Sequence, residues 1–279
     1  MPETFDPALL EERIARADPD RFMAARFAPR ADRPRLIAIY AFNYEIARVR
    51  ERVTEPAIGD MRLAWWREAI DEIYDPIRTV RWHEAARALE DSFEGRPPPR
   101  LWLDRMINAR GRDLDAEPFT SLEELSDYAE SSAGALMRVA AWLLAPDEDL
   151  SSEAESAIAH AGAAWALTGM IRALPEHMAQ GRPLPVNLAD LTGVGATDAS
   201  AWAAALEPVA ALAREQHRLA REQYGAVPAA CAPACIYAAL VPAYLDRIAR
   251  RKDPLRQPAD VAKLKRQAIL VAAAARGRI

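Results

Sequence analysis

Few side chains in this sequence stand at spacings that suit chemistry. His177 follows Glu176, and a carboxylate beside an imidazole that titrates near neutrality could move a proton. No nucleophile or metal partner stands at a fixed distance from that pair, so a histidine facing a loop or capping a helix is the plainer reading. Cys231 and Cys235 share a helix face at i, i+4 and could offer two thiolates to a metal. Two are short of the four ligands of a structural zinc site and Pro233 lies between them, so small core residues fit better. Trp65 and Trp66 could line a lipid pocket, although aromatic residues at helical spacing usually serve a core. Glu68/Glu72 and Asp71/Asp75 recur at i, i+4 and fall largely away from the tryptophans, as a solvated face does. Near the end, Lys263, Lys265, Arg266, Arg276 and Arg278 surround Ile269, Leu270 and Val271. Such a segment either rests on an anionic membrane surface or faces water.

The elements that must position these groups are helices throughout. Leu36, Ile39, Tyr40, Phe42, Ile46 and Val49 form one amphipathic stripe, and Met61, Trp65, Trp66, Ile70 and Ile73 form the next. Pro34 suits the first turn of the former, and residues 56–59 supply the turn between the two. Further helices are expected over 81–93 and 101–110, separated by the Gly95 to Pro99 breaker. Ser121 with Glu124 reads as a capping box that opens a helix running to about Leu144. A long helix follows over 151–174, with Gly162 and Gly169 marking a crowded contact or a pocket wall. A loop over 181–195 precedes helices over 200–224, 229–250 and 260–276. No run alternates with β period and no repeat or linker interrupts the chain, so one all-α domain is expected over 1–279.

Bulk composition narrows the function classes. The chain has 279 residues, of which 51% are hydrophobic, enough to bury a full core, and a net charge of −5 sets up no field for nucleic acid. Only two cysteines occur, which suits a reducing cytoplasm. The first ten residues include Glu3 and Asp6 and lack a basic segment followed by an apolar one, so no signal peptide is expected. No uninterrupted apolar stretch reaches about 18 residues, and any membrane contact is expected to be peripheral, at the inner membrane face.

Four segments in order resemble the squalene/phytoene synthase family. They are residues 21–29 with 36–42, ending Tyr40-Ala41-Phe42; residues 61–70; residues 128–134; and residues 162–182 followed by Leu184-Pro185. The resemblance implies a helical bundle with a central apolar cavity in which two prenyl diphosphates condense head to head. It also implies two aspartate motifs, because carboxylates at i and i+4 on facing helices hold Mg²⁺ against the diphosphate. Here the first motif falls on Ala47, Arg48 and Glu51, and the second on Ala173 and His177, with Gly169 in place of the family's asparagine. Formal charge drops from −3 to 0 at the first motif and from −2 to 0 at the second. Each lost ion contact near 4 Å forfeits up to roughly 4 kcal/mol at an effective dielectric of 20.

This pattern of loss is similar to a narrower group in the family, the respiratory complex I assembly factors of mitochondria and their bacterial relatives. The shared segments are residues 41–49, 54–66 and 172–175 with Leu184-Pro185. The resemblance implies a cofactor-free role in building the NADH:quinone oxidoreductase, through protein contacts or a retained lipid or prenyl ligand. The other class of reading is a divergent prenyl transferase that would hold Mg²⁺ through Glu51, Glu176 and arginines. On either reading the pocket or anion-binding residues are Tyr40, Phe42, Arg48, Arg62, Trp66, Arg172 and Arg182. Arg48, Arg172 and Arg182 together could bind an anionic headgroup without metal, or could be ordinary paired arginines.

Overall fold

Aspartates and prolines open the first helices. In the computed structural model, which describes residues 6–115, 119–179, 199–253 and 256–279, α1 (Pro7–Ala17) starts where the Asp6 carboxylate accepts from the Ala8 N–H at 2.8 Å. Asp18 closes α1 and caps α2 (Pro19–Ala25), a pair of elements the apolar periodicity did not reveal. α3 (Arg33–Ala47) carries Pro34 in its first turn, as expected. Ten of its 15 residues are buried, so it runs through the middle of the bundle rather than across its surface. α4 (Pro56–Tyr74), α5 (Glu84–Phe93) and α6 (Arg100–Arg112) follow, and α5 and α6 pack on α3. α5 starts later than its apolar pattern suggests because the His83 ring nitrogen accepts from the Ala85 N–H.

Between α4 and α5, Glu72 departs from the expected solvated face. Its carboxylate is gripped by Arg81 through the guanidinium at 2.7 Å and the backbone N–H at 2.8 Å. Arg81 holds the carboxyl below the usual carboxylate range.

α7 (Leu122–Ala129) opens on Ser121, whose hydroxyl accepts from the Glu124 N–H at 3.0 Å. The box is shifted by one residue on its return side, since the Glu124 carboxylate takes the N–H of Thr120. A π-turn over Glu130–Gly134 then joins α7 to α8 (Ala135–Leu144). That turn meets α9 (Ser152–Ala179) at Gly162. A Cβ there would fall 2.5 Å from the Ala133 carbonyl oxygen and 2.6 Å from the Gly134 Cα, so two backbones touch with no side chain between them. Gly169 has open space around its missing Cβ, and the crowding expected there is absent. α9 also outruns its expected end at 174, because Pro175 is accommodated inside the helix, which continues to Ala179.

The expected loop over 181–195 lies outside the described residues. α10 (Ala199–Gln223) packs along α9. The helix expected over 229–250 is broken into short 3₁₀ and α turns before α11 (Val241–Ala249), with Pro233 and Pro242 at the breaks. This segment is apolar enough by length and composition to cross a membrane, yet most of it is buried in the bundle, with Cys231 and Cys235 inside. α12 (Lys263–Arg276) ends at Gly277, which adopts the positive φ of a C-cap. No β-strand occurs among the described residues.

Replacing Gly162 by Ala is expected to destabilise the protein by about 1–3 kcal/mol, since two backbones must part. Gly169→Ala is expected to stabilise it by up to about 1 kcal/mol, by helix propensity alone. Urea unfolding of the two variants checks the contrast. A second test concerns His217, buried on α10 where burial and Arg221 push its pKa down to about 4. A depressed histidine contributes stability above its unfolded pKa of about 6.5 and loses it as pH falls toward 4, up to about 3 kcal/mol. The difference in urea-unfolding free energy between the protein and His217→Gln, followed from pH 7.5 to 4.5, is expected to shift by about that amount.

Candidate functional site

Two adjacent residues of α2 carry opposite charges into the bundle. Asp20 is 2% exposed and Arg21 7% exposed, and they point at different partners. The Arg21 guanidinium bonds the Asp18 carboxylate at 2.5 Å and lies over the rings of Tyr237 at 5.1 Å, Trp165 at 5.9 Å and Tyr40 at 6.0 Å. Burial works against its charge, but Asp18 and the Tyr237 hydroxyl outweigh burial and hold it above arginine's ordinary pKa. The Tyr40 hydroxyl has no hydrogen-bond partner among the described residues, and the Tyr237 hydroxyl lies beside Arg21 without a well-aligned bond. Burial pushes both phenols up. The bundle interior therefore contains a cation ringed by aromatic faces.

Asp20 turns the other way. One carboxylate oxygen accepts from the Arg266 guanidinium of α12 at 2.7 Å. The other accepts from the Tyr244 hydroxyl of α11 at 2.6 Å and lies 3.7 Å from the Arg172 guanidinium of α9. Arg172 in turn stacks 3.7 Å from the centre of the Tyr244 ring. Arg251 approaches this group, and burial followed by Arg172 lowers its pKa to about 10.

The first degenerate motif is also paired within the chain. Arg48, at the end of α3, bonds Glu51 at 3.2 Å and the Tyr44 hydroxyl, and sits 4.9 Å over the Tyr44 ring. Ala47 is half-buried beside it. Across the bundle, Ala173 is half-buried and Glu176 exposed on α9, while the His177 side chain and Arg182 lie outside the described residues. Arg48 and Arg172 stand in two separate pairs, each arginine answered by its own carboxylate, as in the reading of ordinary paired arginines. Phe42 and Trp66 meet edge to face at 5.3 Å, and Trp66 also packs on His83 at 4.9 Å. Arg62 is exposed on α4.

These residues do not suit a divalent ion. Ala47 and Ala173 offer no oxygen and Arg48 adds positive charge where a cation would sit. Among the described residues no group of three His, Cys, Asp or Glu side chains comes together to hold a metal. Sequence reasoning missed Asp20, Tyr237 and Tyr244 and took Arg266 for surface charge, whereas it is mostly buried against Asp20. The one available signal was the Asp-Pro-Asp-Arg run at 18–21, charged residues just before a strongly apolar helix.

The chain belongs to the squalene/phytoene synthase family, whose sequence model matches residues 14–267. Its fold matches a crystallised dehydrosqualene synthase in complex with ligand at a TM-score of 0.79, over 97% of this chain and 95% of that one, with 18% identity. Among characterised relatives it is 28% identical to NADH dehydrogenase (ubiquinone) complex I, assembly factor 6 of Bos taurus, over 67% of this chain and 55% of that protein. It is 27% identical to the Mus musculus protein of the same name, over 86% and 72%. The chain thus spans little more than half the length of the bovine relative.

Arg21→Met is expected to cost about 3 kcal/mol, because Asp18 loses its buried partner and three aromatic faces lose their cation. Arg62→Ala, at an exposed position, is expected to stay within about 0.5 kcal/mol. Thermal or urea unfolding of both variants separates the interior arginine from the surface one.

Proposed function

We propose that this chain is a non-catalytic member of its family that works without a metal cofactor, as an assembly or binding factor for the NADH:quinone oxidoreductase. The observation that carries this reading is the loss of oxygen ligands at both motifs. Without Mg²⁺, the negative charge that develops on a departing diphosphate has no counter-charge, and ionisation of an allylic C–O bond stalls. Relatives that carry the name of a complex I assembly factor support the assembly role.

On this reading the partner is a protein of the respiratory chain under assembly, and the chain works beside the inner membrane. The exposed Lys263, Leu264, Lys265 and Val271 of α12 suit peripheral contact with an anionic surface. A prenyl or acyl chain held between the helices is compatible with the role and is not required by it.

Two measurements test the reading together. The purified protein, given farnesyl and geranylgeranyl diphosphates with Mg²⁺ and NADPH, is expected to release no diphosphate. Deleting the gene in its host is expected to lower the amount of assembled oxidoreductase on native gels, with restoration by the intact gene. Diphosphate release that disappears in Glu51→Gln or Glu176→Gln would establish a transferase with a rebuilt metal site instead.

A further inference from the structure

The environment of Asp20 has the chemistry of an anion-binding slot that is already filled. Two guanidiniums and a phenol converge on one carboxylate from α9, α11 and α12, and both of its oxygens are engaged. That is how a protein grips a planar or tetrahedral oxyanion, with arginine forks supplying charge and direction together. Access is asymmetric. The Asp20 side chain is 3% exposed, while Arg172 and Arg266 keep 28% and 17% of theirs in contact with solvent. The cationic wall can therefore be reached from outside, and the group that blocks it comes from inside, on α2. Arg172 immediately precedes Ala173, so the slot adjoins the second degenerate motif.

We infer that Asp20 is a built-in occupant of an oxyanion slot formed by Arg172, Arg266 and Tyr244, which keeps free phosphate and diphosphate groups out of the native chain. The carboxylate supplies internally the charge that a phosphate-bearing solute would bring. Its removal leaves partly solvent-facing guanidiniums without their counter-ion, and a diphosphate oxyanion has the size, charge and acceptor oxygens to replace it. The inference does not depend on the assembly role, since it concerns what the slot binds rather than which partner the protein serves.

Inorganic pyrophosphate without added metal is the probe, titrated calorimetrically at fixed ionic strength into the full-length protein, Asp20→Ala and Asp20→Ala/Arg172→Ala. The expected result is binding by Asp20→Ala at least tenfold tighter than by the unaltered protein, lost again in the double variant. Binding by the unaltered protein as tight as by Asp20→Ala would overturn the inference, as would a folded Asp20→Ala that binds no better. Binding that survives in the double variant would also overturn it. If Asp20→Ala does not fold in chloride, refolding in pyrophosphate at equal ionic strength is expected to recover its helical circular dichroism. Failure to recover it counts against the slot.

Discussion

Burial of the Asp20 and Arg21 charges constrains where α2, α3, α9, α11 and α12 can lie. A carboxylate or guanidinium taken out of water loses several kcal/mol of hydration, and only close, well-aligned partners make the loss tolerable. Here the partners arrive from opposite directions: Asp18 and aromatic faces for the arginine, two arginines and a tyrosine for the aspartate. Because the two residues are consecutive, neither set can shift without straining the other. The first helices and the last are locked to the same seven-residue segment, α2, although more than 200 residues separate them in the chain.

The same accounting applies at the degenerate motif positions. In this chain Arg48 is satisfied by Glu51 and Tyr44, and Arg172 by Asp20. Among the described residues, both of these arginines are balanced by carboxylates of the chain itself.

Much of the helix plan was legible in the sequence because apolar spacing and punctuation agree: Pro34 inside the first turn of α3 and Ser121 at the cap of α7 both sit where their chemistry predicts. Where a rule was overridden, tertiary packing is the cause. Pro175 ends no helix because α9 is held along much of its length by neighbours, and Gly162 and Gly169 look alike in sequence while only the first faces a backbone. The candidate site was less legible. Its key pairing, Asp20 with Arg266, spans 246 positions, and no local pattern shows that a lysine- and arginine-rich terminal helix turns one of its cations inward. Resemblance supplied the degenerate motif positions, but the partners of the arginines there, Tyr44 for Arg48 and Asp20 for Arg172, depend on side-chain directions that spacing does not carry.

The contact at Gly162 also has a mechanical meaning. Where α9 touches the π-turn backbone to backbone, no side chain lies between the two to absorb a change, so a shift in the turn passes directly to the helix. Gly162 is then a fulcrum and the remainder of α9 a lever arm. Arg172 lies ten residues along that arm, about 15 Å at 1.5 Å per residue, so a rocking of about 4° displaces it by about 1 Å. A displacement of that size is comparable to the margin between a formed and a broken ion contact, so a mis-seated π-turn would be felt at the charges gathered around α2.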